Sequence, residues 1–261
     1  MAVLVLTSCS GSPGVTTLAV GLALTWPRPV LLVDADPGAP QAVLAGYLTG
    51  RSAGGKGLLR VAEAHRDRRD LREAVVDQCL TLAETDGDRR LFLPGFTRPG
   101  SAGHFAGVWD DLADTFDRLG DVDLDVVVDA GRLGPLGLPP ALLERSALTV
   151  VLLGSSLRAV LAARVQLPVL AEAQRAGHGA RGRTGLVVVD EGHPYRAAEI
   201  GRALGVEVVA RLPHDPSSAA HFSDGAPQHR KFAAAPLVTA LRSTASTFAG
   251  VLQQSTALVR S

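Results

Sequence analysis

The segment SCSGSPGVTT, residues 8–17, decides how the rest of the chain is read. It follows a short apolar run, AVLVLTS (2–8), and leads into a helix-length apolar stretch, 15–26. A strand that passes through a glycine-containing loop into a helix is the context in which phosphate can be bound. Gly11 and Gly14 let backbone N–H groups approach phosphate oxygens, and a helix starting near Val15 aims the positive end of its dipole at the loop. Thr16 then offers a hydroxyl to Mg²⁺. The standard pattern G-x-x-x-x-G-K-[ST] fails twice, at Cys9 and at Val15. Taken alone, the segment reads equally well as a tight strand-to-helix turn with a capping threonine.

The surroundings supply more. Runs rich in Val and Leu recur at 29–36, 89–95, 123–131, 147–156, 184–192 and 206–213. They are continuous rather than alternating, as strands buried on both faces are. Segments 15–26, 58–75, 105–119, 157–176 and 195–204 have helical periodicity, with Gly205 placed to cap the last. This alternation predicts an α/β fold: a doubly wound, mainly parallel sheet with helices on both faces. Residues 50–57 and 214–232 read as flexible loops. An amphipathic helix is expected at about 236–259, through Leu237, Leu241, Phe248 and Leu252. With no linker or internal repeat, residues 1–261 read as one domain.

Three carboxylates fall at strand ends. LLVDADPG places Asp34 and Asp36 after the second run, and VVVDAG places Asp129 at the end of the fourth. Ligands of open α/β sheets bind at these carboxyl edges, where acidic groups can orient water or a magnesium shell.

Through these residues the chain resembles the ParA/MinD family of P-loop ATPases with a deviant Walker A motif, from residue 3 to about residue 232. The family's K-G-G-x-G-K-[ST]-T is matched by residues 10–17, its D-x-D-P by Asp34-Ala35-Asp36-Pro37, and its Walker B aspartate by Asp129. Leu93-Pro94-Gly95 matches a proline-terminated strand, and Pro213-His214-Asp215 a late turn against the nucleotide base. The resemblance implies ATP or ADP with Mg²⁺, cradled by Gly11, Ser12, Pro13, Gly14, Val15, Thr16 and Thr17 and bounded by Pro213 and Asp215. It implies catalytic positions at Asp34, Asp36 and Asp129, and Mg²⁺ held by Thr16, Asp34 and Asp129. It also implies a homodimer working with another protein or a larger assembly, such as a chromosome, septum, pilus or secretion machine.

The departures bear on chemistry. Val15 stands where the family's phosphate-contacting lysine would be, and Ser10 where its signature lysine would reach a partner's phosphates. Asp190 falls near the family's base-contacting asparagine. Charged hydrogen bonds are worth about 1.5–3 kcal/mol each. Losing two costs roughly 3–6 kcal/mol, on the order of 10²–10⁴ in affinity. Hydrolysis, which depends on positioning and charge neutralisation, should suffer more than binding. Three readings follow: a nucleotide-responsive regulator with weak binding and poor or absent hydrolysis, a nucleotide-free interaction scaffold, and an ATPase that recruits an arginine. Arg132 is the first candidate for that arginine, ahead of Arg51, Lys56 and Arg98.

Bulk properties narrow the partners. The 261 residues carry 26 basic and 26 acidic groups, which gives no global attraction for nucleic acid. RDRRDLRE (66–73) interleaves both signs and reads as a solvated face. The C-terminal helix lacks a basic cluster, which favours packing on the sheet over a membrane anchor. Two cysteines make neither a disulfide framework nor a metal cluster, and no histidine pair has zinc-ligand spacing. LTSC at 6–9 is preceded by an apolar run too short for a signal segment, so a cytoplasmic protein is expected.

Overall fold

A computed structural model describes residues 3–11, 13–84, 89–98, 100–134, 137–176 and 182–260. Its centre is β1 (Val3–Ser8), buried along its whole length, with four apolar residues followed by Thr7 and Ser8. It runs into the glycine loop and then α1 (Val15–Thr25). After β2 (Val30–Asp34) the chain forms two short helices, α2 (Leu58–Arg66) and α3 (Leu71–Gln78), then β3 (Leu80–Ala83) and β4 (Arg90–Leu93). Next come α4 (Trp109–Leu119), β5 (Asp125–Arg132), α5 (Pro140–Arg145) and β6 (Ser146–Gly154). The chain continues through α6 (Leu157–Ala176), β7 (Arg183–Val189), α7 (Ala197–Leu204), β8 (Val208–Leu212), α8 (Pro216–Asp224) and α9 (Pro236–Arg260).

The strands form one eight-stranded sheet in the order β3-β4-β2-β5-β1-β6-β7-β8. Every pairing is parallel except β3 with β4. Successive residues of each strand feed opposite faces. Val3, Val5, Leu31, Val33, Val126 and Val128 pack with residues of α2 to α7. Leu4, Leu6, Val30, Leu32 and Val127 pack instead with α1, α8 and α9. The predicted doubly wound architecture is therefore present, with helices on both faces.

Two expectations need correction, and two elements come in addition. The helix expected over 58–75 is two helices. Arg68 adopts a left-handed backbone at φ 56°, and the Asp70 carboxylate accepts the Glu73 N–H at 2.9 Å, capping a new helix. The segment 214–232 contains α8, capped by Asp215 and ended by left-handed Gly225. Edge strand β3 and short helix α5 were not foreseen; four and six residues are too few to carry a period.

Trp26 is core, and its indole N–H donates to Asp125 at 2.7 Å, tying the end of α1 to β5. Helix α9 lies against α1 and the sheet with Leu241, Phe248 and Leu252 buried, as its apolar spacing predicts. Gly21 of α1 lets it come close: a Cβ there would stand 2.7 Å from a Leu241 methyl. No helix among the described residues is long and apolar enough to cross a membrane.

Candidate functional site

β1, β2 and β5 are neighbours in the sheet, so the loops that leave their carboxyl ends converge. Gly14 caps α1 with φ 93° and ψ 40°, a left-handed conformation that glycine adopts without strain. Its carbonyl accepts the Leu18 N–H at 2.8 Å, the first bond of the helix. The next residue points its side chain inward: Val15 is 7% exposed and packs with Leu18 and Leu22 in the core. Thr16 turns the other way, and its hydroxyl donates to the Asp129 carboxylate.

Asp129 is buried within β5, three residues before its end, and also accepts the Gly131 N–H at 3.0 Å. Asp34 is its register partner across the β2–β5 pairing. The Asp36 N–H donates to Asp34 at 3.2 Å, and Asp36 itself accepts the Gly38 N–H at 2.7 Å. Burial, then the Asp129 charge, pushes the Asp34 carboxyl up to about 7. Burial also raises Asp129 to about 6, against the lowering effect of the Thr16 and Gly131 hydrogen bonds. Like charges packed away from water raise one another in this way.

Two glycines, whose role the sequence reading missed, make room for this cluster. A Cβ on Gly131, which has φ 61°, would overlap the Asp36 carboxyl group, and one on Gly95 would lie 2.6 Å from the Asp34 carboxyl carbon. Thr7 holds the turn by donating to the Gly131 carbonyl at 3.0 Å.

A cavity of about 250 Å³ opens on the other side of the loop, bounded by Pro13, Gly14 and Thr17. Pro213 and Asp215 form another wall, and Leu237 and Leu241 of α9 a third. The structure thus brings Pro13, Gly14 and Thr17 of the expected loop and the late turn around one space, whereas Gly11, Val15 and Thr16 do not line it. Desolvation raises the Asp215 carboxyl, but hydrogen bonds from Ser218, Ser217 and the Leu237 backbone outweigh it and hold the group below the usual range. Gly11 is exposed with φ 65°, and Ser12 lies outside the described residues. Asp190 pairs with His193 at 3.0 Å instead of facing this cavity.

Two of the nominated cations, Lys56 and Arg51, are placed elsewhere. Lys56 donates to the carbonyls of Asp77 and Cys79, at 2.7 and 3.1 Å. Arg51 lines a second cleft, of about 600 Å³, along the 50–57 loop and the start of α2. Arg132 and Arg98 are exposed. Among the described residues, no arginine or lysine offsets the burial of Asp34 or Asp129.

Asp34, Asp36 and Asp129 gather without a counter-charge beside the Thr16 hydroxyl, but among the described residues no three acidic, histidine or cysteine side chains are grouped so as to hold a metal ion by themselves, and the neighbouring helix N-terminus favours an anion. For phosphate the site supplies backbone N–H groups and no cationic side chain.

A mainly parallel sheet with a glycine loop after its central strand and acids at adjacent strand ends defines a P-loop NTPase-like fold. Solved structures narrow it to the MinD/ParA fold. The MinD cell division protein of Aquifex aeolicus superposes with a TM-score of 0.71 at 17% identity, over 96% of this chain and 98% of that one. A ParA family ATPase from Chlorobium tepidum gives 0.70 at 18%, over 94% and 98%. The septum site-determining protein MinD of Pyrococcus horikoshii, complexed with Mg-ADP, gives 0.66 at 17%, over 94% and 95%. No protein-family model and no curated protein sequence matches the chain.

Proposed function

We propose that this chain is a single-domain, nucleotide-responsive regulator that positions a larger cellular assembly from the cytoplasm. It binds ATP or ADP with Mg²⁺ weakly and hydrolyses it poorly or not at all. The observation that carries the reading is the hydrogen bond from Thr16 to Asp129 beside left-handed Gly14, with Asp34 and Asp36 crowded against it. In this reading the backbone from Gly11 to Thr17 cradles phosphate, and Thr16, Asp34 and Asp129 hold Mg²⁺. The metal supplies charge neutralisation, and Asp36 or Asp34 orients water. Pro213 and Asp215 bound the base side. The Mg-ADP complex of a protein with the same fold supports this ligand class.

The burial of Val15 favours a second reading, a nucleotide-free scaffold built on the same fold. Calorimetric titration of ATP and ADP with Mg²⁺ into wild type, Thr16→Ala and Val15→Lys separates the two. Micromolar binding that Thr16→Ala weakens supports the regulator. No wild-type binding, with affinity appearing only in Val15→Lys, supports the scaffold.

A further inference from the structure

Among the described residues, seven large apolar side chains are more than a third exposed, and four of them lie on one helix. Leu157, Leu161, Val165 and Val169 of α6 are 53%, 50%, 68% and 56% exposed. Their spacing of four residues makes a continuous ridge along the outer face. The inner face, through Ala163, Leu167 and Leu170, is already buried on the sheet. Exposed Pro168 continues the ridge. A contiguous apolar strip of this kind, on a helix whose other face is packed, marks an interface.

The charges at its ends indicate what covers it. Arg158 and Glu172 are exposed, and among the described residues no ion pair engages either. Each is seven residues from Val165, on opposite sides. Two copies of α6 laid antiparallel about Val165 therefore set Leu161 level with Val169 of the second copy, and Arg158 level with its Glu172. The ridge is complementary to itself in both shape and charge, which is the requirement of a two-fold interface.

We infer that α6 is a homodimerisation surface, in which Val165 meets its own copy at the two-fold axis and Arg158 pairs with Glu172 across it. The interface requires no nucleotide, so it stands or falls separately from the function proposed above.

Sedimentation velocity of the full chain across a concentration series, without nucleotide, tests it. Wild type should dimerise and Val165→Glu should be monomeric with an unchanged circular dichroism spectrum. Val165→Cys should give a disulfide-linked dimer under mild oxidation that wild type does not. Arg158→Glu should weaken association roughly tenfold, through two equivalent pairs, and adding Glu172→Arg should restore it. A monomer at every concentration overturns the inference, as does a dimer indifferent to Val165→Glu. Flotation of a wild-type monomer with anionic phospholipid vesicles, lost in Val165→Glu, would overturn it in favour of a lipid surface.

Discussion

Asp34 and Asp129 are register partners on adjacent parallel strands, so two buried carboxyl groups leave the sheet side by side. Each is held above its ordinary range, Asp34 at about 7 and Asp129 at about 6, with burial the largest cause in both. A sheet stabilised by apolar burial thus carries a local electrostatic cost at this edge.

That cost fixes a pH dependence. Between the unfolded carboxylate range, near 4, and about 7, the folded protein binds more protons at Asp34 than the unfolded chain. Its contribution to stability is therefore complete at low pH and falls as pH rises through 7, with about 4 kcal/mol as an upper bound. Asp34→Asn should match wild type in melting temperature near pH 4 and exceed it increasingly up to pH 8. Millimolar Mg²⁺ should narrow the gap at pH 8. A difference independent of pH would contradict this.

Thr16→Ala removes the hydroxyl that donates to Asp129. One hydrogen bond to a charged group is worth about 1.5–3 kcal/mol, or roughly 10–100-fold. The loss should appear in nucleotide affinity with Mg²⁺ and be nearly absent in EDTA. Paired calorimetric titrations check it.

Val15→Lys places an ammonium where the side chain is now core. It should raise Mg·ATP affinity by about tenfold or more while lowering stability by roughly 1–3 kcal/mol. Urea unfolding and nucleotide titration of the same protein separate these opposite effects.

Gly131→Ala introduces a methyl group that would overlap Asp36, at a backbone of φ 61°. The substitution should cost roughly 1–3 kcal/mol in chemical denaturation. It should also displace Asp36, so nucleotide affinity with Mg²⁺ should fall with it.

Leu241→Ala opens a cavity between α9 and α1, where Leu241 is buried. The expected loss is about 2–5 kcal/mol by denaturant titration. Because Leu241 also lines the 250 Å³ cavity, added nucleotide should recover less stability than in wild type.

The sheet was legible because its central strands are uninterrupted Val and Leu runs, a pattern that parallel strands buried on both faces require. The acid cluster was legible for the same reason: once the strands are fixed, Asp34 falls at the carboxyl end of β2 and Asp129 in the carboxyl-terminal half of β5. What the sequence hid was set by single residues. The break between α2 and α3 rests on the backbone of Arg68 and the cap at Asp70, inside a charge run with no apolar period. Helix α8 did carry a capping Asp215-Pro216 start, masked by the small and polar residues after it. Gly95 and Gly131 owe their importance to carboxyl groups from distant segments, which no local pattern reveals. Nor could spacing tell that Val15 points inward and Thr16 outward.

Helix α9 packs on α1 and lends Leu237 and Leu241 to the wall of the cavity beside Gly14. The first and last helices are thus one mechanical part, although more than two hundred residues of chain separate them. Sequence drift in either helix is constrained by the other: a bulkier residue at Gly21 demands a smaller one at Leu241, and with it a reshaped cavity.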